Sequence, residues 1–249
     1  MKTNRHAIRN AIAFLSVALI AFTFSIARAQ IDTLSSFNGG ADGANPLGGV
    51  QLSGGTFYGT TQSGGASNAG TVFSLPITGG TPTILSSFNG ADGFGPNGLI
   101  LSGGTLYGTT FQGGVSDDGT VFSLPITGDT PTILASFNHF DGASPSGLTL
   151  SGSTLYGTTV VGGAGNAGTI FSLPISGGTP TTLASFNVNG TNGANPYGSL
   201  TLSGSTLYGT TELGGASNAG TVFSLPITGE ALPPFLPLSV ALTGLALMA

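Results

Sequence analysis

The hexapeptide Thr105-Leu106-Tyr107-Gly108-Thr109-Thr110 occurs in four near-identical copies in this chain of 249 residues. The other copies are Thr56–Thr61, with Phe57 in place of the leucine, Thr154–Thr159 and Thr206–Thr211. Their tyrosines, at positions 58, 107, 156 and 208, are 49, 49 and 52 residues apart. A period of this length predicts one supersecondary unit repeated in tandem, because a single unit cannot bury its apolar surface alone.

Two other landmarks recur with the same period. Ser-Phe-Asn is centred on Phe37, Phe88, Phe137 and Phe186, and Phe-Ser-Leu-Pro begins at Phe73, Phe122, Phe171 and Phe223. Within the second unit, Gly, Pro, Asn or Asp separate four β-prone runs, which are Thr83–Phe88, Gly98–Leu101, Thr105–Thr110 and Gly119–Ile126. The short turn Ser102-Gly103-Gly104 predicts an antiparallel hairpin.

Four antiparallel strands per unit predict an all-β fold, a β-propeller with four blades of four strands. A β-solenoid is the alternative, although its coils stack parallel strands. The phase of the repeats further predicts a shared blade, in which Ile31–Phe37 is the fourth strand beside Gly220–Ile227. Such a closed ring leaves no free strand edge. The four Phe-Ser-Leu-Pro phenylalanines are predicted to be buried between blades.

The two ends of the chain differ from the repeats. All four basic residues lie within the first 28 positions, around the apolar run Ala11–Ile26 and before the small residues near Ala29. This pattern predicts a secretory signal peptide at residues 1–29, a propeller domain at residues 30–230, and a hydrophobic tail at residues 231–249. We therefore expect an exported protein, extracellular or at the cell surface, whose tail could touch a membrane transiently.

The composition narrows the functional classes. After residue 29 the chain has nine acidic residues and no Lys or Arg, so it offers no cationic surface to a phosphate backbone, and nucleic-acid binding is not expected. The absence of cysteine excludes disulfides, thiolate metal sites and thiol nucleophiles.

The motif Leu-Tyr-Gly-Thr-Thr, followed by Gly-Gly and Gly-Thr-Val-Phe, resembles the GloVer-type tandem repeat of bacterial exported "choice-of-anchor" proteins. The resemblance covers roughly Ile31–Glu230, and it implies a propeller-like fold and surface localisation rather than a particular activity. Leu232-Pro233-Pro234 and the apolar Phe235–Ala249 resemble a degenerate or truncated exosortase-type sorting tail.

The strand order places two families of long loops on one face, which we call the top face. One family joins the outer strand of a blade to the inner strand of the next, as Asn89–Asn97 does, and the other joins the third and fourth runs of the unit, as Phe111–Asp118 does. Loops on a rigid scaffold often carry binding residues. The candidate binding residues are Asp42, Asp92, Asp141, Asn192, Asp117, Asp118 and Glu212.

Several chemical roles are compatible with these residues. The recurring Asp-Gly pairs would suit oxygen ligation of Ca²⁺, but Asp and Asn before Gly also simply form turns. His139 beside Asp141 would suit a general base, but no serine in a nucleophile-elbow context accompanies it. The repeated tyrosines are compatible with saccharide platforms, although core positions are favoured.

The sequence therefore favours a noncatalytic exported repeat protein that binds a polymer, such as an extracellular polysaccharide, or a surface protein through its top face. No cofactor is expected apart from the Ca²⁺ alternative. The second hypothesis is an enzyme that acts on extracellular polysaccharide with top-face carboxylates.

Overall fold

The computed structural model describes residues 30–188 and 191–227, and its regular secondary structure in these ranges is entirely β. The predicted signal peptide, and the tail from residue 231 onward, lie outside the described residues. Every pairing between the described strands is antiparallel, which agrees with the propeller and not with the solenoid.

The strands form four sheets, each of which is one blade of the propeller. The first blade comprises β1 Ala44–Pro46, β2 Gln51–Ser53, β3 Thr56–Ser63, β4 Thr71–Pro76 and β5 Thr83–Ser87. The second comprises β6 Phe94–Ser102, β7 Thr105–Gln112, β8 Thr120–Pro125 and β9 Thr132–Ser136. The third comprises β10 Ala143–Ser151, β11 Thr154–Val161, β12 Asn166–Pro174 and β13 Thr181–Asn187. The fourth comprises β14 Thr201–Ser203, β15 Thr206–Thr211 and β16 Thr221–Pro226.

Each blade follows the chain from its inner strand to its outer strand. In the first blade, β1 and β2 both pair with β3 and together take the inner position that β6 takes in the second blade. The β-prone runs of the second unit are confirmed as strands, but the inner strand begins at Phe94, four residues before the predicted Gly98. A register shift between Pro96 and Leu99 explains this difference, because Pro and Gly interrupt the apolar pattern at a bulge.

The glycine of the repeated hexapeptide is required by a close approach of a ring. Gly108 pairs with Phe122 across β7 and β8, and the Phe122 ring lies over it. A Cβ at position 108 would be 2.5 Å from the Cζ of Phe122 and 2.9 Å from a methyl of Leu99. The equivalent glycines Gly59, Gly157 and Gly209 have the same relation to Phe73, Phe171 and Phe223. The motif therefore fixes how each ring packs.

The core lies between neighbouring blades. Tyr58 and Val72 of the first blade pack in one cluster with Leu99, Leu106 and Phe122 of the second. The second and third blades, and the third and fourth, repeat this arrangement with equivalent residues. At each junction a phenylalanine in or directly after the outer strand also meets the next blade edge to face, as Phe88 does with Phe122 at a centroid distance of 5.0 Å.

The predicted burial of the Phe-Ser-Leu-Pro rings is confirmed for Phe73, Phe122 and Phe171, and Phe223 is only partly buried. Tyr58, Tyr107 and Tyr156 are likewise buried, whereas Tyr208 is 43% exposed. Both exceptions lie in the fourth blade, because no further blade covers its far side among the described residues.

The predicted closure of the ring is wrong. Ile31–Phe37 forms no strand, and β16 pairs only with β15 among the described strands. Thr33–Phe37 instead packs on the first blade, with the Phe37 ring 4.9 Å from that of Phe73. The phase of this segment in the repeat was right, but closure also depends on the angle between blades. Packed side chains set that angle, and the repeat period does not.

Candidate functional site: the top face

The two predicted families of top-face loops do lie on the same face and touch each other. Gly114, in the loop between β7 and β8, donates its N–H to the carbonyl oxygen of Gly90, in the loop between β5 and β6, at 3.0 Å. Gly163 makes the equivalent bond to His139 in the third blade. The topology therefore places all seven candidate residues on this face, whereas Asp129 lies in the loop between β8 and β9 at the opposite end of its blade.

The Asp-Gly loops are held by a reciprocal pair of side chains. The Asp92 carboxylate accepts a hydrogen bond of 2.8 Å from the N–H of Asn89, and the Asn89 Oδ1 accepts one of 2.9 Å from the N–H of Ala91. Asn138 with Asp141, and Asn38 with Asp42, repeat the arrangement. The turn-forming interpretation of Asp-Gly is therefore correct for one oxygen of each carboxylate.

Asp117 also has a structural role in its loop. Its Oδ1 accepts a hydrogen bond of 2.8 Å from the N–H of Gly113, and its φ of 59° is in the left-handed region. Asn68 and Asn218 make the equivalent bonds at 3.0 and 2.9 Å with almost the same φ. Asp and Asn tolerate this conformation better than most residues. The negative charge of Asp117 is therefore not needed for the turn.

The remaining candidates are less constrained. The Oδ1 of Asp118 is 3.9 Å from the Nδ1 of His139, whose side chain is 55% exposed. Glu212 and Asn192 are exposed, and main-chain atoms of both are bonded within their blade. His139 itself has a left-handed φ of 58°, which suits a turn position and does not by itself indicate a base.

Threonine hydroxyls connect these loops to the blades, and sequence reasoning missed this role. The hydroxyls of Thr110 and Thr120 are 2.9 Å apart in the buried strands β7 and β8. Thr120 also donates to the main-chain oxygen of Asp92 at 3.1 Å, and Thr169 donates to that of Asp141 at the same distance. The signal is present in the sequence, because these threonines recur at the same spacing in each repeat.

The top-face acids do not form a metal centre among the described residues, where no three His, Cys, Asp or Glu side chains converge. None of the six acids is buried as a whole residue, although the Oδ1 of Asp42 is enclosed without a hydrogen-bond partner. Two large apolar side chains stand out on the same face, Val115 at 92% and Phe140 at 91% exposure. The top face is thus an acidic surface with isolated apolar contacts.

A cavity lies where the inner strands of the blades converge. All four blades line this cavity of about 320 Å³, and its polar lining includes Gln51, Asn97, Ser146, Tyr197 and Ser199. None of the seven candidate residues from the sequence lies in it. Within the described ranges, no helix is long and apolar enough to cross a bilayer.

The fold and the repeated loops define a repeat protein of the β-propeller class. The family model of the Gloeobacter/Verrucomicrobia repeat matches residues 18–223, and the chain belongs to this family. This agrees with the GloVer-type resemblance of the sequence. The search of curated proteins found no match.

Solved structures support the fold alone. TolB from Acinetobacter baumannii is 16% identical with a TM-score of 0.52, over 80% of this chain and 43% of that chain. A putative TolB from Agrobacterium tumefaciens is 14% identical with a TM-score of 0.50, over 76% of this chain and 59% of that chain. This chain therefore spans about half of the length of these propeller-like relatives.

Proposed function

We propose that this protein is a noncatalytic, exported repeat protein whose top face binds a polymer or a protein partner that carries positive charge. The observation that carries the proposal is the concentration of six acids on one face, in loops held by their own hydrogen bonds. No Lys or Arg after residue 29 offsets them. Clustered charge of one sign attracts a partner of the opposite sign and is screened by salt.

The top-face acids lie in preorganised loops, which favours a role in binding over a role in solubility alone. Asp92 and Asp141 each use Oδ1 to hold their own loop, which leaves Oδ2 without a hydrogen bond among the described residues. The partner would therefore meet carboxylates that are already positioned. The exposed Phe140 beside Asp141 adds an apolar contact of the kind found at protein interfaces.

The enzyme hypothesis has less support. A two-carboxylate glycosidase needs one carboxyl that burial keeps protonated near neutral pH. The top-face acids are exposed or half-buried, and the carboxylates of Asp92, Asp117 and Asp141 accept hydrogen bonds within their own loops. Export rests on the sequence of residues 1–29.

Binding to a defined cationic glycan tests the proposal. We would titrate the full chain with a chitosan oligosaccharide and with its neutral N-acetylated counterpart, at low and at physiological salt. We expect salt-sensitive binding of the cationic form only. Asp92→Asn combined with Asp141→Asn should weaken it, because asparagine keeps the Oδ1 acceptor and removes the charge. Asp129→Asn, at the opposite end of its blade, is the control and should change little.

Equal binding of the neutral glycan, or equal effects of the two sets of substitutions, would contradict a role for top-face charge. Calcium and magnesium belong in the same series. If the divalent ions raise the melting temperature no more than matched ionic strength does, the top face does not bind these ions.

A further inference from the structure

The described array ends in two open blade faces. We call the exposed side of the first blade the leading face, which is formed around Val50, Phe57 and Phe73. We call the exposed side of the fourth blade the trailing face, which is formed around Tyr208, Thr210 and Val222. Between the blades, each leading-type side chain meets trailing-type side chains of the blade before it. The two open faces are therefore the two halves of an interface that the chain builds three times internally.

Side chains on the two open faces are far more exposed than their equivalents between blades. Val222 is 83% exposed, whereas its equivalents Val72 and Val121 are at 0%. Val50 is 50% exposed, whereas its equivalents Leu99, Leu148 and Leu200 are at most 4%. An open groove of about 370 Å³ beside Val50 is lined by Leu34, Phe37, Phe57, Phe73 and Leu75. The equivalent space at the next junction is filled by Tyr58 and Val72.

The strands at the two ends are complementary as well. The fourth blade has no outer strand among its described residues, and β16 therefore presents an unpaired edge. Leu34–Asn38 repeats the sequence Leu-Ser-Ser-Phe-Asn of Leu85–Asn89, which includes the end of outer strand β5. The N–H of Gly80 donates to the Leu34 carbonyl at 3.0 Å, as that of Gly178 donates to Leu134 at 2.9 Å.

Thr33–Phe37 thus has the position of the outer strand of a blade that would precede the first one. Residues 228–249 contain no copy of Leu-Ser-Ser-Phe-Asn. One end of the described array has an outer strand without its blade, and the other end has a blade without its outer strand.

We propose that two copies of this chain join head to tail, with the trailing face of each copy on the leading face of the other and Thr33–Phe37 paired with the partner's β16. A heterologous contact of this kind forms a ring when its rotation closes. Two copies supply eight blades, which is within the usual range of about 4–8 blades, and three copies would exceed it. A single chain leaves both faces open in the structure.

The internal blades fix the register of the proposed pairing. In the first blade Val72 is opposite Ser86 and Thr71 is opposite Ser87. The equivalent pairs are Val222 with Ser35 and Thr221 with Ser36, each across the boundary between copies. Opposite residues in antiparallel strands have Cα atoms about 4.5–5.5 Å apart, which is within the range of a disulfide.

The chain has no cysteine, so engineered cross-links can be interpreted without ambiguity. We would prepare the full chain with Ser35→Cys and the full chain with Val222→Cys, and oxidise each alone and as a mixture. The proposal predicts a covalent dimer in the mixture, little in either chain alone, and a dimer in the double variant. Val72→Cys with Ser86→Cys is the control, because it should close within the first blade.

A double variant that cross-links only within one chain would show intramolecular closure and overturn the proposal. No cross-link in the mixture, when the control pair closes, would also overturn it, and would point to another segment on these faces. A ladder of higher multimers would exclude the two-copy ring.

Solution mass gives an independent test. Light scattering of the full chain should give twice the 24.4 kDa of one chain. Val222→Asp places a charge on the trailing face and should halve that mass, while the circular dichroism spectrum stays unchanged because Val222 is exposed within one chain. Val115→Asp is the matched control, since Val115 is 92% exposed on the top face and should leave the dimer intact. A monomeric wild-type chain would refute the proposal.

Discussion

Gly108→Ala tests whether the repeated hexapeptide determines the packing of the blades. The new Cβ would lie 2.5 and 2.8 Å from two carbons of the Phe122 ring and 2.9 Å from Leu99. Phe122 is fully buried and its ring also packs against that of Phe88, so the ring has little room to move away. Overpacking of a filled core costs about 1–3 kcal/mol, and three short contacts place this change near the upper limit.

For a domain of this size, each kcal/mol lowers the melting temperature by about 2–4 °C, so we expect a fall of about 6–12 °C. Thermal unfolding followed by circular dichroism measures it. Gly98→Ala is the matched control, because a Cβ there meets no atom within 4 Å and the backbone is not left-handed. Equal melting temperatures for Gly108→Ala and wild type would refute the argument that the ring requires glycine.

Substitutions at three further positions test other parts of the structure by chemical denaturation. Phe122→Ala should lower the free energy of unfolding by roughly 3–5 kcal/mol, because it empties a fully buried ring position. Asp117→Asn should be nearly neutral, whereas Asp117→Ala should cost about 1–3 kcal/mol through loss of the bond from Gly113 and a less tolerated left-handed φ. Thr120→Val should cost about 1–3 kcal/mol, because it leaves the Asp92 carbonyl without its hydroxyl partner.

Controls for these substitutions come from the same chain. Phe140→Ala removes an equally large ring that is 91% exposed, so its cost should be small, and a cost equal to that of Phe122→Ala would contradict the core assignment. Thr132→Val alters an exposed strand threonine and should be tolerated. If Asp117→Asn destabilises as much as Asp117→Ala, the charge of Asp117 matters to the loop and the turn interpretation is wrong.

The repeats in the sequence predict the loops of the top face, but not the hydrogen bonds that hold them. Strand order determines which loops share an end of the blades, so the placement of Asp92, Asp141 and Asp117 on one face followed from the sequence. Their hydrogen-bond partners did not follow, because Asn is common in turns and Thr in strands whether or not the side chain bonds to a neighbouring loop. Only the tertiary structure pairs Asn89 with Asp92 and bonds the Thr120 hydroxyl to the main chain of the Asp92 loop.

The sequence by itself determined the all-β propeller class, the family, the approximate position of the strands in the second unit and the burial of Phe73, Phe122 and Phe171. These depend on local patterns, namely turn residues and apolar side chains at a fixed phase, that are repeated four times. Tertiary structure alone decided that the described array stays open, with Val222 exposed and Thr33–Phe37 on the first blade. The physical reason is that closure depends on the angle between blades. Many small packing contacts at each junction set this angle, and no single motif encodes their sum.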